Sequence, residues 1–182
     1  MGWIVFGLLV AAAGYGVLLY NRLVATRNQV RNGWRQIDVQ LKRRHDLVPN
    51  LVEIAKDYMG YEQETLREVI AARNAATTAS GPAQSGVAEG VLQGALGRLF
   101  ALAEAYPDLK ANENVSRLME ELSSTENKIA FARQHYNDSV MAMNNMVESV
   151  PSNFIAGPFG FHKEEYFEVP EAETAVPKVD LR

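Results

Sequence analysis

The chain has 182 residues, 47% of them hydrophobic, a net charge of −4 and no cysteine. Without an apolar N-terminal stretch and a short tail, about 130 residues remain, ample for one domain with a core and too few for two. Disulfide and thiolate chemistry are excluded, although either redox compartment remains open. An acidic domain with no recognition motif argues against nucleic acid as a partner.

Residues 1–20 carry no charged side chain, and Arg22, Arg27, Arg31 and Arg35 follow at once. The eighteen residues from Trp3 to Tyr20, wound as a helix, span roughly 27 Å, close to the ~30 Å hydrocarbon thickness of a bilayer. Trp3 and Tyr20 stand at the two ends, where amphipathic rings prefer the headgroup level. A cleaved secretory signal is the rival reading, because Ala11-Ala12-Ala13 offers an A-x-A-like site. Against it, no Lys or Arg precedes the run, and cleavage there would discard only half of it. A retained anchor is therefore expected, with its N-terminus outside and the rest in the cytoplasm, because flanking Lys and Arg resist translocation.

Residues 21–44 hold seven basic residues against Asp38, a net of +6, so the remainder is −10. That stretch serves topology and a solvated helix face, or attracts anionic lipid at roughly 1 kcal/mol per basic group near the surface. Only Arg22, Arg27 and Arg31 lie close enough to an end at Tyr20 for the second role.

Beyond the anchor the chain reads as helix. Steps of four and three from Leu23 land on Arg27, Val30, Trp34, Ile37, Leu41, Arg44, Val48, Leu51, Ala55 and Tyr58, eight of them apolar or aromatic. The phase survives Pro49, which removes one backbone bond and clashes with the carbonyl of His45. One long helix kinked at Pro49 and ended by Gly60 is the favoured reading; two helices meeting near Leu47, with Pro49 in a first turn, is the alternative. Leu66, Val69, Ile70 and Arg73 mark a second helix over 62–78, stopped by Ser80-Gly81-Pro82. A third, over 85–105, repeats Val87, Val91, Ala95, Leu99 and Leu102. Its Gly86, Gly90 and Gly94 predict close approach by a neighbouring helix, since each glycine costs ~1 kcal/mol relative to alanine. After a turn at Tyr106-Pro107-Asp108, the fourth helix covers 112–150. It starts in the cap-like Asn112-Glu113-Asn114 and steps through Val115, Leu118, Leu122, Thr125, Ile129, Ala132, Tyr136, Ser139, Met143, Met146 and Val150. Two long helices flanking a short hairpin predict an all-α fold: a transmembrane helix continuing into an antiparallel up-down bundle of two long and two short helices. The expected parts are an anchor over 1–21, the bundle over 22–150, an aromatic membrane-proximal segment over 151–170 and a flexible tail over 171–182.

Several strings resemble the LemA family of bacterial membrane proteins. They are Arg44-His45-Asp46-Leu47-Val48-Pro49-Asn50-Leu51-Val52, Asn112-Glu113-Asn114, Thr125-Glu126-Asn127-Lys128-Ile129-Ala130, Ala132-Arg133 and Tyr136-Asn137-Asp138-Ser139-Val140. The resemblance runs from the anchor to about Phe167; a second Tyr-Asn pair of the family stands here as Met143-Asn144, and its Phe-Pro as Val150-Pro151. It implies a single-pass protein of the bacterial inner membrane with the N-terminus out and a cytoplasmic bundle, and it implies no activity. A relative acts in magnetosome membrane formation, which points to membrane organisation.

Among the matched polar residues, Arg44, Asp46 and Asn50 bracket the expected kink, while Glu126, Asn127, Arg133, Tyr136 and Asn137 lie along one side of the last helix. Two readings stand: a buried network fixing helix register, or a polar pocket for a small ligand or ion. Phe154, Ile155, Phe159, Phe161, Tyr166 and Phe167 either cap the bundle's open end or contact membrane or another subunit. His45, His135 and His162 match no metal or catalytic pattern, and Gly157-Pro158-Phe159-Gly160-Phe161 lacks the strand-to-helix setting of a phosphate loop. No catalytic residue, metal or cofactor is expected. The expected partners are the lipid bilayer, further copies of the chain and other membrane proteins. The resulting expectation is a non-catalytic membrane scaffold, with a ligand-binding or sensory module as the alternative.

Overall fold

The computed structural model describes residues 1–169, which form six helices and no strand, an all-α fold. The tail expected to be flexible, 171–182, lies outside the described residues.

Helix α1 (Gly2–Tyr58) is a single helix of 57 residues with Pro49 inside it. The one-helix reading of Pro49 therefore holds, and the structure shows what makes it tolerable. Proline has no N–H to offer the His45 carbonyl one turn back, and the Arg73 Nε donates to that carbonyl instead, at 3.0 Å. Helices α2 (Gln63–Thr78), α3 (Pro82–Ala103), the single turn α4 (Pro107–Lys110) and α5 (Glu113–Glu148) follow. The Asn112 side chain caps α5, accepting from the Asn114 backbone N–H at 2.9 Å, as its position before the helix predicts. Two elements depart from expectation by more than two residues. Helix α3 starts three residues early, because Pro82 occupies the first turn, where its missing N–H costs nothing, after Gly81 at φ 79°. A short helix α6 (Asn153–Ala156) follows α5, too brief to leave a periodic signal.

The chain divides into two compact units. Unit 1 comprises Met1–Gln40 and Lys128–Tyr166. Here α1 and α5 run antiparallel, with Thr26 Oγ1 at 3.5 Å from Met146 Sδ and Gly33 against Tyr136, where a Cβ would stand 3.2 Å from the Tyr136 Cα. Leu23, Val30 and Ile37 are buried at seven-residue spacing on one helix, as are Ile129, Tyr136 and Met143 on the other. The expected four-three steps thus fall on the packed seam. The 18-residue apolar window near the N-terminus has a mean hydropathy of 2.0 and is wholly unburied. By length and composition this helix can cross a membrane.

Unit 2 comprises Leu41–Asn127 and, of the described residues beyond unit 1, 167–169. Its core joins Val48, Leu51 and Val52 of α1, Leu66 and Val69 of α2, Leu92 and Leu99 of α3, and Val115 and Leu122 of α5. The inward face of α3 differs from the expected one in its first half. Val87 and Val91 are exposed, while Ser85, Gly86 and Glu89 are buried. Close approach at the glycines is real at Gly86, but an extended segment makes it: a Cβ there would lie 2.2 Å from the Glu168 carbonyl oxygen. At Gly94 the nearest atom is 3.9 Å away and belongs to Arg98.

Candidate functional site

The most constrained polar feature lies in unit 2. Adjacent residues of α1, Arg44 and His45, are both buried, and both reach the buried carboxylate of Glu89 on α3. The Arg44 Nη1 donates to one Glu89 oxygen at 2.9 Å, and the His45 Nε2 to the other at 2.5 Å. The Arg44 Nη2 pairs with Glu126 of α5. Arg73 of α2 adds its bond to the His45 carbonyl. All four long helical stretches of unit 2 thus meet at one group of side chains. Burial pulls the Arg44 guanidinium below its ordinary pKa, and the Glu89 carboxylate acts in the opposite sense by charge and hydrogen bond. Arg44 is thus paired with a carboxylate on each side, as a buried charge requires.

Glu126 is only partly buried and stands, with Arg44, Gln93, Phe100 and Asn127, on the wall of a pocket of about 260 Å³. Among the described residues, no three His, Cys, Asp or Glu side chains gather closely enough to hold a metal ion.

Of the polar residues named from the sequence, the structure pairs Arg44 with Glu126 and sets Asn127 beside them on the pocket wall, while the others stand apart. Asp46, Asn50 and Asn127 are exposed, which corrects their assignment to a buried network. At about 100° per residue, Asp46 and Asn50 are turned about 200° and about 240° from Arg44 on α1, and Asn127 about 100° from Glu126 on α5. Tyr136 is buried in unit 1, at the seam beside Trp34, with ring centroids 5.8 Å apart. Its hydroxyl donates to the Glu165 carbonyl at 2.7 Å; burial, then the charges of Glu164 and Glu165, push its pKa up to about 12. Asn144 clasps the same extended strip, donating to the Glu164 carbonyl at 3.1 Å and accepting from its N–H at 2.8 Å. Arg133 and Asn137 are partly buried, also in unit 1.

The six residues proposed for membrane or subunit contact also divide. Phe161 and Phe167 are buried and offer no outer surface, a correction to their expected role. Phe161 packs under the Arg27 guanidinium, 4.7 Å from its ring centroid, and edge-on to Tyr20. Tyr166 follows Glu165, whose carbonyl holds Tyr136 opposite Gly33. That level is thirteen residues past Tyr20, about 20 Å along α1, so Tyr166 does not lie at the end of the apolar run. Phe154 and Phe159 remain exposed, and Ile155 is partly buried.

Sequence reasoning missed Glu89, His45 and Arg73 as members of the charged group. For Glu89 a signal existed: it is the only acidic residue in the 22 of α3, flanked by small residues that let other chains come close. For Arg44 and Arg27 the signal was sharper, since both are the polar exceptions on the four-three steps of α1.

Taken together, these features define an all-α protein whose N-terminal helix fits a membrane location and, further along, joins α2, α3 and α5 around a buried ionic group. The sequence matches the LemA family over residues 33–181, and the chain belongs to that family. It is similar to Magnetosome protein MamQ 2 of Paramagnetospirillum magneticum, at 26% identity over 187 residues, covering 88% of this chain and 69% of that one. Magnetosome protein MamQ of Magnetospirillum gryphiswaldense matches at 25% with the same coverage. Protein LemA of Metamycoplasma hominis matches at 25% over 157 residues, covering 84% and 70%.

Proposed function

We propose that this protein is a membrane-tethered, non-catalytic scaffold that organises a membrane assembly as a homo-oligomer. In this reading it resides in the bacterial inner membrane, with its N-terminus outside and its helical bundle in the cytoplasm. The observation that carries the reading is the continuity of α1, whose unburied apolar stretch leads without a break into the packed seam. Tethering confines copies to a plane and raises their effective concentration, so weak lateral contacts suffice. Exposed Phe131 and Val39, which line a groove of about 650 Å³ in unit 1, support this reading as a surface for such contacts. The magnetosome proteins among the relatives are consistent with a part in membrane organisation. Crosslinking through a single cysteine at Phe131, with mass photometry in lipid nanodiscs, tests the oligomer. Crosslinked species of fixed stoichiometry support it, and a monomer in detergent and lipid alike refutes it. A reporter fused after Arg182 tests orientation: cytoplasmic behaviour agrees, periplasmic activity does not.

A ligand-binding or sensory role is the second reading, favoured by the pocket that Arg44 and Glu126 line together. It predicts that small anions slow hydrogen exchange around His45 and Glu126. An exchange pattern indifferent to metals and anionic metabolites removes it.

A further inference from the structure

We propose that the loop between α5 and the extended strip is a second, shallow membrane contact, its Phe154, Ile155 and Phe159 entering the boundary between headgroups and acyl chains. The inference rests on the anchor reading and adds the place where the bundle itself meets lipid. The thirteen residues from Ser149 to Phe161 carry no charged side chain. The Lys163 ammonium pairs with Glu148 across the neck of that loop, so the charges stop where the uncharged stretch begins.

Contacts within unit 1 set its depth. The Ile155 Cδ1 lies 3.7 Å from where a Cβ on Gly16 would stand. The Phe159 ring meets the Tyr20 ring edge-on at 5.0 Å, and Phe161 meets Tyr20 at 5.8 Å. Tyr20 is the aromatic residue ending the apolar run, the position that marks the headgroup level. Gly16 is four residues earlier, so Ile155 sits about 6 Å further toward the hydrocarbon. That depth falls within the 5–10 Å typical of apolar side chains on interfacial segments. Phe154 and Phe159, 70% and 59% exposed, point away from the protein there. Water is a poor solvent for them, and the continuity of the loop with the span makes lipid the occupant.

The backbone suits that setting too. Ala156 N–H bonds to the Ser152 carbonyl at 2.9 Å, Phe161 N–H to the Ala156 carbonyl at 2.9 Å, and Ser152 Oγ to the Ser149 carbonyl at 2.9 Å. Internal satisfaction of this kind is what a segment leaving water requires. Arg27, over the inner face of Phe161, is placed to reach lipid phosphates from the aqueous side. Two attachments, span and loop, would fix the rotation of α1 about its own axis, which a lone span leaves free.

The chain lacks cysteine, so single spin labels can be placed in the full-length protein in vesicles of phosphatidylcholine and phosphatidylglycerol in equal parts. Labels replacing Leu9, Phe154, Phe159 and Tyr61 are compared by power saturation with oxygen and a water-soluble nickel chelate. The expected result is a severalfold higher oxygen-to-chelate ratio at 154 and 159 than at 61, with 9 higher still. A lipid signature at 9 with a water signature at 154 and 159 overturns the inference and leaves the anchor standing. A water signature at 9 overturns the anchor, and the inference with it. Dipolar broadening at 154 without an oxygen-rich signature assigns the loop to a subunit interface and also overturns it. F154D with F159D, retaining the helical circular dichroism, should abolish the effect at a label on Ile155; an unchanged ratio there contradicts the proposal.

Discussion

The two units use the same two long helices and are held by different chemistry. In unit 2 the helices converge on a buried ionic group, Arg44 and His45 against Glu89, with Glu126 at the edge. In unit 1 the named buried contacts hold no ion pair: a seven-residue apolar seam, an aromatic pair, the tyrosine bond to the Glu165 carbonyl and one guanidinium, Arg27, against the Phe161 ring. A buried charge cluster tolerates little, because removing one member leaves the others unpaired in a poor solvent. An apolar seam with a hydrogen-bonded strip laid over it loses one modest contact at a time. The difference teaches that one helix can carry a rigidly specified stretch and an adaptable one in sequence, with no boundary in its backbone.

The largest effect is expected in unit 2. Replacing Glu89 by alanine leaves Arg44 and His45 without their shared carboxylate and should destabilise unit 2 by about 3–5 kcal/mol. Urea unfolding followed by hydrogen exchange would read it. A loss below 1 kcal/mol would mean that the ionic group is ornamental and would erase the contrast between the units.

An intermediate effect concerns Pro49. Arg73→Ala should cost about 1–3 kcal/mol, because the His45 carbonyl is left buried without a donor. In a Pro49→Ala background the backbone N–H returns and the same change should cost far less. Equal costs in the two backgrounds would show that Arg73 does not stand in for the missing backbone bond.

The smallest effect is expected in unit 1. Tyr136→Phe removes the bond to the Glu165 carbonyl at a cost of about 1 kcal/mol, loosening the strip over 164–166 in hydrogen exchange. Tyr136 also carries a pH signature of defined sign. Its pKa rises from an ordinary 10.0 to about 12 in the folded chain, so the protonated hydroxyl belongs to the folded state. Its contribution is complete below pH 10 and is lost as pH rises through about 12. In a tyrosinate absorbance titration the late-ionising amplitude should be smaller by one tyrosine in Tyr136→Phe. A late step of the same size in both proteins would contradict it.

How much of this was legible in the sequence follows from how local each signal is. The long helices show themselves because every three or four residues repeat the same demand for apolar contact, from Leu23 to Ala55 and from Val115 to Met146. Arg27 and Arg44 broke that repeat, and each proved to have a dedicated partner, an aromatic ring and a carboxylate pair. The inner face of α3 misled because the ionic group needs Glu89, and the close approach needs Gly86, on the side that packing would otherwise fill with valine. The strip over Tyr136 and Asn144 has no periodicity at all. Its bonds run through backbone carbonyls of Glu164 and Glu165, which any residue type supplies, so nothing in the side chains announces it.

The central claim is that the apolar start of α1 is retained and anchors the bundle. Carbonate extraction of native membranes, followed by N-terminal mass analysis of the retained protein, tests it most directly. The account predicts a polypeptide that stays with the lipid and still contains residues 3–20. A chain beginning near residue 14, or one released into the wash, would contradict it.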